Sequence, residues 1–330
     1  MILIISEDSD QSTNEVIDYL NLYGVNYIRI NQSSNILIKR IILSNSQESI
    51  ALVINDGFEK NRIVALDQIK GTWYRRGDLK IQVESLSTDF KYWSQLSHYL
   101  NNEVEDLVEF IHFYIKNTIP SINSFLDNSI NKLIVLYIAK KNGLKIPYTL
   151  LSSFPKYIKK VEQGKGPFIT KDIRDGRVSF IPNSLMAMGK VELLEYEVDA
   201  YNYYTFPNLV QSLIIKEYEI RTFYLMGEFY STAIFSQSNE RTKIDFRNYD
   251  FSKMNRVVPY FLPSIIQKKI EALFVELDMN CGSVDIIKSH DGNYVFLEIN
   301  PIGQYSQVSV PGNFNISEKI ALKLKEFEFL

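Results

Sequence analysis

Short apolar runs open the chain. Ile2–Ile5 is unbroken and ends in the acidic turn Glu7-Asp8-Ser9-Asp10, which reads as a buried first strand breaking into a loop. A helical pattern over Thr13–Tyr23, stopped by Gly24, leads to a second strand at Asn26–Ile30. Further strands are predicted near Ile36–Ile42, Ile50–Ile54 and Ile69–Tyr74. That α/β order predicts a small open sheet with helices packed on it. Between Ser87 and Lys116, the residues Phe90, Trp93, Leu96, Leu100, Leu107, Phe110 and Phe113 recur at helical spacing, predicting a long helix with those side chains in the core. A second helix is expected over Asn131–Asn142, closed by Gly143 and a turn at Pro147. Strands then dominate: Phe168–Lys171, Val178–Ile181, Val191–Tyr196, Leu213–Lys216, Glu219–Tyr224 and Glu228–Phe235. A helix at Ser264–Leu277 leads through a turn at Cys281-Gly282 into strands Ser283–Ile287 and Tyr294–Ile299, and a helix at Ser317–Phe327 closes the chain. After about residue 150 strands and helices mix without strict alternation, so the chain reads as α+β lobes joined to an α/β lobe.

The last two strands carry polar residues where a buried ladder should be apolar. Residues i and i+2 of a strand share a face, so Glu298 and Asn300 present their oxygens side by side just before Pro301 stops the ladder. Asp285 sits inside its own apolar strand, GSVDII, where an unpaired carboxylate is costly. The turn sequence HDGN at 290–293 predicts a hairpin, and a two-residue turn at Asp291-Gly292 would set Asp285 opposite Glu298. A hard divalent cation would resolve the conflict between the two carboxylates, and this oxygen set suggests Mg²⁺. The alternative is that each acid is bonded to a nearby lysine or backbone amide.

Composition narrows the class without naming it. At 330 residues the chain is long enough for a large core in two or three lobes. The net charge of −3 gives no support to a nucleic-acid partner. A single cysteine, Cys281, rules out an intramolecular disulfide framework and fits a reducing cytoplasm. No apolar stretch approaches the length of a membrane span, and the N-terminus lacks a signal-peptide pattern. His98, His112 and His290 sit in unrelated contexts, so no Ser-His-Asp grouping is visible.

Several segments occur in an order that carries more information than any one of them. They are DNSINKLIVLYIAKKNGLKIPYT (127–149), FITK (168–171), VQSLIIKEYEIRTFYLMGEFYSTAIFSQ (210–237), KIDFRNY (243–249), GSVDII (282–287) and FLEINPIGQY (296–305). Together they resemble the ATP-grasp ligases, and within them the branch that matures graspetides, the ω-ester and ω-amide crosslinked peptides that include microviridins. The N-terminal ISEDSDQSTNEVIDYL, WYRR at 73–76 and FSQSNERTKIDFRNYD look like the grasp-with-spasm subgroup. The resemblance implies an ATP-grasp fold of mixed α/β and α+β class. It would have an N-terminal open-sheet α/β lobe (1–120), a central lobe (121–210) and a C-terminal β-rich lobe (211–330), with ATP between the last two.

It also implies roles for individual residues. The adenine would lie against a hinge at Gln211-Ser212-Leu213-Ile214, with Glu219 on the ribose. Lys132 and Lys171 match the two phosphate-binding lysines, and Asp285, Glu298 and Asn300 the Mg²⁺ ligands. Arg221 would point into the same cleft, and Arg247 matches an arginine that handles the transferred phosphate or the acceptor carboxylate. Asp245 and Glu217 are candidates for a general base. Lys171 is followed by DIRDGRVSF, with one glycine where many ATP-grasp enzymes carry a glycine-rich flap. The segment 182–208 reads either as a leader-binding hairpin or as an exposed sheet edge. The implied activity is an ATP-dependent macrocyclase that activates Asp or Glu of a ribosomal precursor peptide (leader plus core) as an acyl phosphate. Ser, Thr or Lys of the same peptide then closes the ring. An amino-acid ligase of the glutamate-adding kind and a non-catalytic ATP-binding module are the alternatives. Homodimerisation is suggested by the resemblance alone.

Overall fold

The computed structural model describes residues 1–56, 61–82, 93–173, 177–180, 185–188, 192–193, 206–239, 241–243 and 252–330. The chain forms two compact units. One comprises Met1–Ser129, Met279–Cys281 and Asn315–Leu330, and the other Ile130–Asp278 and Gly282–Phe314. No described helix is long and apolar enough to cross a membrane.

The first unit begins with β1 (Ile2–Ser6), buried at every position, as an inner strand of a parallel sheet must be. Asp10 then caps α1 (Gln11–Leu22) by accepting from the Thr13 backbone N–H at 2.8 Å. After β2 (Tyr27–Asn31) come β3 (Asn35–Leu43), β4 (Glu48–Asn55) and β5 (Arg62–Ala65), an antiparallel three-stranded sheet. β6 (Gly71–Tyr74), α2 (Trp93–Thr118) and β7 (Ser121–Ile122) complete the set, and the parallel sheet has the order β2-β1-β6-β7. The C-terminal helix, Ile316–Glu326, returns to α1, where Ser317 donates to Glu15 at 2.8 Å and Tyr23 to Glu318 at 2.6 Å.

The long helix exists, and the expected stripe is only partly its core side: Phe110 packs against the core and Leu96 and Leu100 are half-buried, but Leu107 and Phe113 face outward. Its core side is Val108, Ile111, His112 and Ile115, all buried, whereas Phe113 is 55% exposed and Leu107 36%. Large aromatic residues dominate the pattern, but the β-branched positions Val108, Ile111 and Ile115, at i, i+3 and i+7, are the ones buried in the core of this unit. Phe90 lies outside the described residues, as does the expected helix start near Ser87.

In the second unit, α3 (Lys132–Lys141) precedes β8 (Thr149–Ser152), α4 (Pro155–Lys165) and β9 (Phe168–Lys171). β10 (Arg177–Phe180) and β11 (Leu185–Met188) form an antiparallel pair, of which β11 alone falls within the segment 182–208 considered for leader binding. β12 (Glu192–Leu193) and β13 (Asn208–Ser212) then join β8 and β9 in a sheet of order β12-β9-β13-β8. The larger sheet follows: β14 (Lys216–Leu225), β15 (Glu228–Phe235), β16 (Arg256–Tyr260), α5 (Ser264–Glu276), β17 (Cys281–Ser289), β18 (Tyr294–Asn300) and α6 (Ser306–Gly312). Its strand order is β16-β15-β14-β17-β18. The central strand β14 is buried from Glu219 to Leu225 and is covered on both faces. Tyr224 meets Phe274 of α5 at 4.3 Å between ring centroids, while Phe223, on the other face, meets Tyr305 at 5.3 Å.

A strand expected over Leu213–Lys216 is not formed. β13 stops at Ser212, the Leu213 N–H adds one last in-register bond to the Pro167 carbonyl at 2.8 Å, and Ile215 is exposed, so Leu213-Ile214-Ile215 is the connector between two sheets. Hydrophobicity runs on unbroken from Leu209 to Ile215 apart from two polar residues, and therefore hides the break. α4, α6, β5, β7, β8, β11, β13 and β16 have no counterpart in the expected elements.

Candidate functional site

The hairpin of β17 and β18 sets Asp285 directly opposite Glu298 and Ser283 opposite Asn300. The route to that register differs from the expected two-residue turn. Ser289 N–H bonds the Asn293 carbonyl at 3.0 Å, which leaves the three residues His290, Asp291 and Gly292 in the loop, with Gly292 at φ +81°. Ile286 consequently pairs with Phe296, and a β-bulge at Leu297 inserts one unpaired residue before Asp285 meets Glu298. Without the bulge, Leu297 would face Asp285, and Glu298 would lie on the other side of the sheet.

Arg221 on β14 reaches the same face. Its Nη1 donates to Asp285 Oδ1 at 3.2 Å and Oδ2 at 3.4 Å, in a pair whose side chains are only 6% and 14% exposed. The charge of Asp285 is therefore balanced first by a guanidinium. Two residues earlier, Glu219 is buried and Lys216 Nζ donates to its Oε1. Ser236 Oγ, just past the end of β15, donates to the same oxygen at 3.0 Å. Burial pushes the Glu219 carboxyl up to about 7, and the negative charge of Asp285 adds to the rise. Lys216 and the Ser236 hydroxyl pull it back down.

A loop after β18 closes over this face. Gly303, at φ +56°, donates its N–H to Asn300 Oδ1 at 3.2 Å. A Cβ there would stand 2.9 Å from the Phe223 ring and 3.1 Å from the Ser283 backbone nitrogen, so only glycine fits. Beneath it, Arg221 Nε, Thr232 Oγ1 and Ser283 Oγ are buried with no hydrogen-bond partner among the described residues. Thr232 is the cross-strand neighbour of Arg221. Lys216, Ser236, Thr232 and Ser283 were not singled out from the sequence. Only the pairing registers mark them, although a lysine ending the apolar run LII is a usable signal.

The other expected residues stand on further elements of this unit. Lys132 is the first residue of α3 and Lys171 the last of β9, both half-buried. Gln211 is buried on β13, its amide donating to Thr149 Oγ1 at 3.0 Å, while its Oε1 has no partner among the described residues. Ser212 N–H is taken by the Tyr148 carbonyl at 2.9 Å, and Leu213 and Ile214 follow in the connector. Glu217 is exposed. Arg247 and Asp245 lie outside the described residues.

Asp285, Glu298 and Asn300 offer oxygen donors only, from adjacent strands. That chemistry suits Mg²⁺, which is commonly held by one or two carboxylates and completed by substrate phosphates. Among the described residues no group of three His, Cys, Asp or Glu side chains could hold an ion by itself.

The fold is that of the ATP-grasp ligases, matched over nearly the whole chain. A RiPP-associated ATP-grasp ligase of Chryseobacterium gregarium, solved in complex with ADP and a leader and core peptide, superposes with a TM-score of 0.77. It is 23% identical over 98% of this chain and 96% of that one. Macrocyclase MdnC of Microcystis aeruginosa MRC, bound with precursor peptide MdnA, gives 0.73 at 24% identity over 99% of both chains. Macrocyclase MdnB of the same organism gives 0.71 at 19% identity over 98% of both. No protein-family profile and no curated protein matches the chain.

Proposed function

We propose that this chain is an ATP-dependent peptide macrocyclase of the graspetide-maturing kind. The observation that carries the reading is the pairing of Asp285 with Glu298 beside Arg221, on a fold matched end to end by ligases solved with precursor peptides. The division into lobes at 1–120, 121–210 and 211–330 belongs to the same proposal. The nucleotide lies with its adenine on Gln211–Ile214, where the Gln211 Oε1 acceptor awaits a donor. Glu219 receives the ribose, and Lys132 and Lys171 meet the phosphates as compact point charges.

A carboxylate oxygen of an Asp or Glu side chain in the precursor attacks the γ-phosphorus, the bond to ADP breaks, and an acyl phosphate forms. Asp285, Glu298 and Asn300 would hold Mg²⁺, which supplies neutralisation of the phosphoryl charge. Arg221 and Arg247 offer planar forks to the carboxylate and its phosphorylated form. A Ser or Thr hydroxyl, or a Lys amine, then attacks the acyl carbon; phosphate leaves with the bonding pair and a proton is lost to solvent or to Asp245. The chain orients the reacting groups and excludes water, and needs no nucleophile of its own. Incubating the protein with ATP, Mg²⁺ and the short peptide encoded beside its gene tests this. Loss of one water per ring, read by mass spectrometry, supports it. A mass gain would indicate an amino-acid ligase, and no peptide-dependent ADP release would indicate a binding module.

A further inference from the structure

We infer that Lys216 and Ser236 are positioning residues that hold Glu219 for the ribose of the bound nucleotide. The inference rests on the assignment of Glu219 to the ribose given above and goes beyond it. Both bonds fall on one oxygen of Glu219: Lys216 Nζ and Ser236 Oγ donate to Oε1, the latter at 3.0 Å. No hydrogen bond from a described residue reaches Oε2, which is left to accept from a ribose hydroxyl. The anchoring pair is itself locked, since Lys216 is 3% exposed and Ser236 fully buried. It also spans two strands, because Lys216 opens β14 and Ser236 follows the last residue of β15. A carboxylate fixed from two strands loses little rotamer freedom when a ligand arrives.

Charge is the second contribution. Glu219 faces Lys216 and Arg221 on its own strand, Ser236 beyond β15 and Asp285 on β17. Desolvation and Asp285 favour the protonated carboxyl, which accepts a hydrogen bond less well; Lys216 and Ser236 oppose them. Removing the ammonium should therefore shift the ionisation upward and make nucleotide binding depend on pH in a range where the unmodified chain is already ionised.

The test is calorimetric titration of ADP and 2′,3′-dideoxy-ADP, with Mg²⁺, into the full chain between about pH 6 and 9. The unmodified chain should bind ADP with an affinity that rises to a plateau above about pH 7, and should bind the dideoxy analogue at least about tenfold more weakly. Lys216→Met should move the rise upward by about one pH unit, costing about threefold in ADP affinity near pH 7.5, with recovery near pH 9 and rescue by Lys216→Arg. Ser236→Ala, which removes no charge and so keeps the test valid if Lys216→Met does not fold, should give a smaller shift of the same sign. Unaltered pH profiles and unaltered discrimination in both variants overturn the inference alone. Equal affinity of the unmodified chain for the two nucleotides overturns the ribose assignment beneath it. Failure to bind ADP at all overturns the ligase reading itself.

Discussion

Replacing Glu219 with glutamine should flatten part of the pH dependence of folding, with no ligand present. The carboxyl is buried and sits at about 7 in the folded chain against 4.5 for a free glutamate. Between those values the folded state holds a proton that the unfolded state releases, so stability falls as pH rises across the interval. The contribution is complete below about pH 4.5 and gone once the pH has passed about 7. A difference of that size corresponds to about 3 kcal/mol, at roughly 1.4 kcal/mol per pH unit. Other acids contribute slopes of their own, and subtraction removes them. Urea unfolding of both proteins at about pH 5 and pH 8 should show the unmodified chain losing about 3 kcal/mol more than Glu219→Gln over that span. Equal losses, or a larger loss in the variant, would mean that Lys216 holds the carboxyl at or below its ordinary value, and the reasoning would fail.

Glu298→Gln, a near-isosteric change at a half-buried position, should abolish ring formation and change the melting temperature by only a few degrees; peptide mass and calorimetry check both halves. Asp285→Asn should stop the same reaction and also cost about 3 kcal/mol in urea unfolding, because it leaves the buried Arg221 guanidinium without its counter-charge. Ile111→Ala should lower stability by about 2–5 kcal/mol, whereas Phe113→Ala on the outer side of the same helix should change it by about 0.5 kcal/mol or less. Gly303→Ala should cost about 2 kcal/mol, since its positive φ and the Phe223 ring both oppose a methyl group.

Much of the architecture was legible because the elements that matter are long or unmistakably patterned. β1, α1, β9, β15, α5 and the closing hairpin stand close to where apolar runs and their stops put them. Failures came where the physical signal is not in local hydrophobicity. The seam of α2 is chosen by fit within the core of its unit, and bulky Phe113 loses to Ile111 and Ile115. The break between β13 and β14 comes after the Leu213 N–H has made a last in-register rung to the Pro167 carbonyl and Ile215 turns out to solvent, a dependence on distant partners that the apolar character of Leu213–Ile215 conceals. For the site, the carboxylate pair was readable from strand alternation and a turn sequence. Its partner Arg221 was readable only as sharing a cleft, and the bond to Asp285 needs the strand order to be known. Lys216 and Ser236 are separated by twenty positions and meet through the β14–β15 register, so neither announces itself.

The bulge at Leu297 ties the length of the hairpin loop to the chemistry at the far end of the strands. With a three-residue loop the two carboxylates meet only because Leu297 is bulged out; were Leu297 to enter the ladder at the same loop length, Glu298 and Asn300 would turn to the opposite face. Deleting Leu297 would place Glu298 in the rung that faces Asp285 and keep the pair, whereas inserting one residue beside it and pairing it would not, so this strand should tolerate a deletion at the bulge better than an insertion.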